Sequence, residues 1–236
     1  MARVPLIQDD DEAARASGIF DTFRDEGRDP SDIFRALANV PGLMMAHRAL
    51  PQALRGRENC PPALRELGVL RLAQLAGSAY EWSHHRPIAL HAGVTVDQAA
   101  AVAAWRESAV FSPAERLVLA AAEAVHEMAV TAELFSELEA GLGRAGAIEL
   151  IVVISQYEAV ARIIQALGVE VEADHQHHLT DWAPRLGPDV KLLVTVRLPS
   201  LPDAPPYACR RVVGRRGTKA YNPERPGPGR QQEVAA

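Results

Sequence analysis

Apolar residues recur at helical spacing over most of the chain between Pro30 and Val171. After Pro61, which suits the first turn of a helix, leucines follow at positions 64, 67, 70 and 75. Gly77 interrupts this helix, and a second helix is expected from Tyr80 to His91. The pattern therefore predicts two consecutive helices joined by a short turn.

Several later segments carry the start signals of helices. Thr95 precedes Gln98 by three residues and Ser112 precedes Glu115 by three, which is the spacing of a capping box. Thr131 precedes another helix, expected to end near Gly141 to Gly143. These signals predict three further helices.

The longest apolar run lies between Ala147 and Leu167 and is apolar on most faces. A buried strand is the alternative for its first half, but the length of the run favours a central buried helix. Shorter helices are expected at Ser31 to Ala38 and at Pro41 to Leu50. With only 5% aromatic residues, the chain is predicted to be an all-α bundle of closely packed helices.

The helical pattern suggests three regions. Residues 30–173 form the predicted helical domain, residues 1–29 an N-terminal extension, and residues 174–236 a C-terminal extension rich in proline. Within this last part, Lys191 to Leu198 has the pattern of a strand, the run from Arg210 to Arg216 is basic, and flexibility is expected from Gly217 onward. We expect this extension to be an appendage of the bundle.

Composition and charge exclude several classes of protein. Apolar residues make up 48% of the chain and charged residues 23%, which is typical of a globular protein with a buried core. The net charge of −5 gives no basic surface for nucleic acid. The N-terminus lacks a secretory signal, and no apolar run approaches the roughly 20 residues that cross a membrane. We therefore expect a cytoplasmic protein with neither nucleic acid nor membrane as partner.

The residues suited to chemistry are carboxylates and a histidine rather than thiols. Cys60 and Cys209 are the two cysteines, and they form no Cys-x-x-Cys pair. Glu81 and His85 are four residues apart, so on a helix their side chains share one face and could exchange a proton. Glu66 precedes Gly77, and it reaches His85 only if the chain folds back at that glycine. Acid–base catalysis by His85, Glu81 and Glu66 is the resulting prediction.

Each candidate site residue also has a structural reading. Ser78 and Glu81 have the spacing of a capping box, Glu66 is possible as an exposed helix residue, and His84 is expected to face solvent or to pack. The predicted substrate-binding residues are Ser78, Trp82, Arg71 and Tyr157. Their alternative, structural roles are a helix cap for Ser78, core packing for Trp82, a salt bridge for Arg71 and a hydroxyl bonded to the backbone for Tyr157. The short segment Asp174, His175, His177 and His178 has ligand-type residues, but no metal site is predicted because no secure helical pair of histidines supports one.

The spacing of Glu66, Ser78, Glu81 and His85 resembles that of the carboxymuconolactone decarboxylase family, which includes the alkylhydroperoxidase D proteins. The resemblance spans roughly residues 35 to 172. In the peroxidase branch two cysteines stand where this chain has Ser78 and Glu81. The resemblance therefore implies the decarboxylase-like branch, in which a carboxylate and an imidazole transfer protons.

This resemblance implies a cofactor-free lyase or isomerase acting on a small carboxylated lactone or β-keto-type acid. It also implies a homo-oligomer, a trimer or hexamer, since the family assembles from such bundles. A non-catalytic member that binds a ligand or partner is the alternative. Thiol peroxidase activity is not expected, because the redox pair of cysteines is absent.

Overall fold

The computed structural model describes residues 2–55 and 59–183, and over these ranges the chain is helical with no strand. The helices in chain order are α1 (Glu12–Ser17), α2 (Asp21–Asp25), α3 (Asp32–Leu37), α4 (Pro41–Arg55), α5 (Pro62–Leu75), α6 (Ala79–His91), α7 (Val96–Ala101), α8 (Pro113–His126) and α9 (Ala132–Leu167). Two 3₁₀ helices, Val102–Ala104 and Ala173–Leu179, complete the order. The all-α prediction is confirmed. The expected strand at 191–198, the basic run at 210–216 and Cys209 lie outside the described residues.

Helix α5 lies at the centre of the bundle, and α6 folds back against it. All residues from Arg65 to Gln74 on α5 are buried, between α6, α8 and α9. The reversal between α5 and α6 occurs at Gly77, whose φ of 64° lies in the left-handed region that favours glycine. Next to it, the Ser78 N–H donates to the carbonyl of Ala73 at 2.9 Å and so completes the helix end. This tight turn places the two helices side by side.

The predicted helix starts are present where the capping signals placed them. Thr95 and Gln98 form a reciprocal capping box at α7, and Ser112 and Glu115 form one at α8. The helix that follows Thr131 is interrupted at Gly143, within the range where its end was expected. Gly143 has a non-helical backbone, with φ of 72° and ψ of 163°, and α9 comprises the two helices on either side of this kink.

The apolar run of α9 is a helix, but it is not the central one. Its inner face packs on α5 and α8 through Leu150 and Ile154, which are fully buried. Its outer face carries Ile148 and Val152, which are 50% and 36% exposed. The expectation of burial on most faces was therefore wrong, because apolar periodicity alone does not reveal which apolar face meets the bundle.

Residues 2–37 are folded against the bundle. Phe20, Phe23 and Ile33 are buried together with Tyr80 of α6 and Ile164 of α9. Burial of aromatic side chains of this size stabilises such packing by about 1.5–3 kcal/mol each. No helix within residues 2–55 and 59–183 has the length and apolar character needed to span a bilayer.

Candidate active site

A buried histidine between two carboxylates forms the centre of the site. His85 Nδ1 lies 2.8 Å from Glu66 Oε2, and His85 Nε2 lies 3.5 Å from Glu81 Oε2. Each of these three residues is at most 6% exposed. Glu66 comes from α5 and the other two residues from α6, so the reversal at Gly77 produces the approach that the sequence required.

An incomplete capping box leaves the Glu81 carboxylate directed at His85. Ser78 caps α6 by accepting a hydrogen bond from the Glu81 N–H at 3.2 Å. In a full box Glu81 would accept a bond from the Ser78 N–H, as Glu115 does for Ser112 in α8. That N–H is already bonded to the carbonyl of Ala73. Ser78 therefore has the structural role, while the Glu81 side chain faces the histidine.

The two carboxylates have opposite electrostatic environments. Burial would raise the pKa of Glu66, but the charge and hydrogen bond of His85, with Arg65 Nε 3.5 Å away, hold the pKa below its usual value. Burial raises the pKa of Glu81 to about 7; His85 opposes this rise and the charge of Glu66 adds to it. Glu66 is thus an anion at neutral pH, whereas Glu81 can carry a proton there.

The histidine tautomer follows from these charges. An ionised carboxylate only accepts hydrogen bonds, so Nδ1 of His85 carries the proton that is donated to Glu66. In the neutral ring, Nε2 is then the acceptor, and it is directed towards Glu81. A proton can therefore pass between Glu81 and Nε2 while Glu66 holds the ring in place.

All three residues line a cavity of about 780 Å³. This is within the usual size range of sites for small molecules. Its walls are formed by the segment 28–35, the start of α5, one face of α6, the middle of α9 and residues 172–175. Tyr157 of α9 also lines the cavity and packs edge-on against the His85 ring, with centroids 4.3 Å apart.

The other predicted substrate-binding residues lie outside this cavity. Trp82 is fully buried in the core cluster around α5 and packs against Trp182. Arg71 is also buried and donates to Glu123 of α8 from Nε at 3.0 Å. Ser78 lines a separate, smaller cavity of about 480 Å³. Of the four predicted binding residues, Tyr157 is the one that the structure places beside His85.

Sequence reasoning did not single out a second group on the cavity wall. Glu172, just after α9, accepts hydrogen bonds from the Tyr80 hydroxyl at 2.6 Å, from His84 Nε2 at 2.8 Å and from the Asp32 N–H at 2.9 Å. Glu172 and His84 are 88 residues apart, so no local spacing could reveal the pair. For His84 the available signal was its place next to His85 on α6, where it was expected to face solvent or to pack.

The histidine-rich segment after α9 packs on this group. His175 stacks on His84 with ring centroids 3.9 Å apart, and His177 lies 3.8 Å from His178. Within residues 2–55 and 59–183, no group of three His, Cys, Asp or Glu side chains is arranged to hold a metal ion.

Cys60, the cysteine within the described residues, has an environment that disfavours thiol chemistry. Cys60 is fully buried in the core. Burial raises the pKa of its thiol to about 11; Glu149 adds to this rise and Arg65 opposes it. A thiolate at Cys60 is therefore strongly disfavoured at neutral pH.

A comparison with known proteins finds one matching family. Residues 33–124 match the sequence profile of the carboxymuconolactone decarboxylase family, and these residues include Glu66, Glu81 and His85. The resemblance seen in the sequence is thereby confirmed. Tyr157 and Glu172 lie beyond the matched segment.

Solved structures share the fold. Two crystal structures of the debrominase Bmp8 match with TM-scores of 0.63 and 22% sequence identity. One is a cysteine-to-alanine variant in complex with 2,3,4-tribromopyrrole; the match covers 77% of this chain and 97% of that one. The other is the apo protein, with 74% and 95% covered. No curated protein matches this chain. At this level of identity the likeness shows the fold alone.

Proposed function

We propose that the protein is a cofactor-free carboxymuconolactone decarboxylase-like enzyme, a lyase or isomerase, that acts on a small carboxylated lactone or β-keto-type acid. The observation that supports this proposal is the pair of unlike carboxylates on one buried histidine. Environments that separate the pKa values of two acids assign one as proton donor and the other as fixed anion. Here Glu81 is the donor and Glu66 the anion.

The proposed reaction begins with cleavage of the bond between the substrate carboxylate and the adjacent carbon. Its electron pair moves into the neighbouring carbonyl and forms an enolate, while carbon dioxide leaves. The proton held between Glu81 and His85 Nε2 then passes to carbon, and water returns a proton to the site afterwards. Glu66 keeps the imidazole oriented throughout, because its hydrogen bond fixes Nδ1.

A proton shift without decarboxylation would use the same groups, so an isomerase is the alternative to a lyase. His85 Nε2 can take a proton from the carbon next to a carbonyl, and Glu81 can return one to another carbon. A family member that binds a ligand without turning it over is the second candidate. The enclosed Glu81 is the observation against it, since burial of an acid whose pKa is raised to about 7 destabilises the fold without benefit to binding alone.

Assembly into a homo-oligomer, a trimer or hexamer, is part of the proposal. It is supported by the outer face of α9, where Ile148 and Val152 are exposed together with Ala145 and Ala159 at helical spacing. Apolar stripes of this kind commonly mark contacts between proteins. A cytoplasmic location stays a prediction.

The test is to incubate the purified protein with a panel of carboxylated lactones and β-keto acids while release of carbon dioxide is recorded. His85→Ala should lower turnover by about 100-fold or more, the usual contribution of a general acid–base group. His126→Ala serves as control, because His126 pairs with Glu158 outside the cavity. Turnover that survives His85→Ala would refute the catalytic assignment, and absence of turnover across the panel would favour the binding protein.

A further inference from the structure

The cavity contains a second histidine–carboxylate pair, which the proposed acid–base steps do not use. His84 and His85 are neighbours on α6, and both line the cavity. Glu66 holds His85 at Nδ1, whereas Glu172 holds His84 at Nε2. The two rings are therefore fixed through opposite nitrogens.

The hydrogen bonds of Glu172 determine the tautomer of His84. Burial would raise the pKa of Glu172, but hydrogen bonds from His84, Tyr80 and the Asp32 backbone lower it to about 2. Glu172 is consequently an acceptor only, and Nε2 of His84 must donate to it. In the neutral ring, Nδ1 is then an acceptor, and it forms no hydrogen bond with another described residue.

Stacking restricts how a ligand can approach His84. Tyr80 covers one side of its ring, with centroids 4.4 Å apart, and His175 stacks on it at 3.9 Å. Only the ring edge remains for a ligand, and Glu172 already occupies Nε2 on that edge. Nδ1 is therefore the ring nitrogen of His84, a residue that lines the cavity, which is left to accept a hydrogen bond from a ligand.

The charges that line the cavity favour an uncharged hydrogen-bond donor as the ligand group that binds His84 Nδ1. Six carboxylate side chains line the cavity: Asp29, Asp32, Glu66, Glu81, Glu172 and Asp174. The three arginines that line it are each paired with a carboxylate, Arg28 with Glu26, Arg35 with Asp9 and Arg65 with Glu66. A second anionic group of a ligand would be repelled here, while a hydroxyl would donate to Nδ1 without a charge penalty.

The walls of the cavity fit a planar ring. Two of the five phenylalanines and two of the four tyrosines of the chain line it: Phe23, Phe34, Tyr80 and Tyr157. Aromatic side chains pack favourably against planar ligands by edge and face contacts. Besides its carboxylates, the cavity thus combines aromatic walls with one fixed imidazole acceptor, His84 Nδ1, near residues 172–175.

We propose that His84 Nδ1 is the hydrogen-bond acceptor for an enol or ring hydroxyl of the ligand that occupies this cavity. The assignment of that ligand as substrate rests on the proposed function. Loss of carbon dioxide from a β-keto acid leaves an enolate, whose oxygen takes a proton from solvent to give the enol. His84 Nδ1 would accept the hydrogen bond of that O–H group and take up its proton as the Glu81–His85 pair delivers a proton to carbon, so that the enol becomes the ketone.

Phenol and anisole test this inference, because they share a planar ring and differ in the donor O–H. Their dissociation constants are measured by titration of the full-length protein, monitored by nuclear magnetic resonance. The unmutated protein should bind phenol about 2- to 10-fold more tightly than anisole, as expected for one net hydrogen bond. His84→Phe keeps a ring between Tyr80 and His175 and leaves Glu172 bonded to Tyr80 and Asp32. It should abolish the preference and leave anisole binding unchanged.

His126→Phe is the matched control. His126 is paired with Glu158 at 2.8 Å, has a side-chain exposure of 27% against 20% for His84, and lies outside the cavity. This variant should keep the preference for phenol. As a second measurement, the ring nitrogens of His84 are observed in the unmutated protein with isotope-labelled histidine, and the Nδ1 signal should move with phenol but not with anisole. That measurement remains available if His84→Phe does not fold.

The outcomes separate this inference from the proposed function. Equal binding of phenol and anisole by the unmutated protein, or a preference that survives in His84→Phe, would overturn the role of His84. Loss of the preference in His84→Phe alongside no decarboxylation of any panel compound would support the binding role and refute the proposed function. Decarboxylation that is lost in His85→Ala, together with a preference for phenol that survives in His84→Phe, would support the proposed function and refute the role of His84.

Discussion

Replacement of Glu81 by glutamine should stabilise the protein at alkaline pH while it removes the proposed proton donor. A pKa of about 7 in the folded state, against the ordinary 4.5, means that folding opposes ionisation of this side chain. Between these two values the unfolded chain releases a proton that the folded chain retains. Stability is thus lost as pH rises through this window.

The size of the effect follows from the two pKa values. The raised pKa of Glu81 lowers the free energy of unfolding by about 1 kcal/mol near pH 5 and by about 3 kcal/mol near pH 8. Glutamine has nearly the same shape and no ionisation, so Glu81→Gln removes this cost. The variant should therefore gain little stability near pH 5 and up to about 3 kcal/mol near pH 8.

Urea unfolding at both pH values measures this difference, at one fixed protein concentration because oligomers gain apparent stability with concentration. Glu66→Gln is the control with the opposite sign. The lowered pKa of Glu66 contributes stability that is present above the ordinary value of 4.5 and is lost as pH falls through the folded-state pKa. Its replacement should destabilise the protein near pH 8. If Glu81→Gln destabilised the protein there as Glu66→Gln does, the assignment of donor and anion would be refuted.

Three further predictions concern other parts of the chain. The protein should show no thiol-dependent peroxidase activity, and any hydroperoxide turnover that is lost in Cys60→Ser or Cys209→Ser would contradict this. Glu123→Gln should destabilise the fold by about 3–5 kcal/mol in urea unfolding, because it removes the carboxylate charge that neutralises buried Arg71; an effect below about 1 kcal/mol would show that the ion pair is not essential. Ile148→Glu should shift the protein to smaller species in light scattering, whereas a monomer in the unmutated protein would disprove the oligomer.

Local signals made much of the fold predictable. Thr95 and Ser112 marked helix starts because their capping partners lie three residues away, within one turn. The approach of Glu66 to His85 was predictable for a similar reason, since a single glycine turn separates their helices. A structural feature is therefore predictable when the contact that determines it joins residues close in sequence, because the spacing of residue types then indicates that contact.

Contacts between distant segments were not predictable in this way. Arg71 was a candidate for substrate binding because arginine suits carboxylates, yet its partner is Glu123, which lies 52 residues further on. Trp82 shares a helix with His85 but faces the core, and helical spacing without knowledge of the packing partner does not reveal that orientation. Glu172 lies 88 residues from His84 and for that reason had no signal.

The segment 28–35 and residues 172–175, which line the cavity with α6, have a consequence for how this site can diverge. The acid–base trio lies entirely within the family-matched residues 33–124, whereas part of the enclosing wall comes from chain on either side of them. Under the proposed function, substitutions in those flanking walls should alter which ring the cavity accepts and leave the Glu66–His85–Glu81 geometry intact. We therefore expect relatives with the same three residues to differ in substrate, and a new specificity is best sought by varying the flanks rather than the centre.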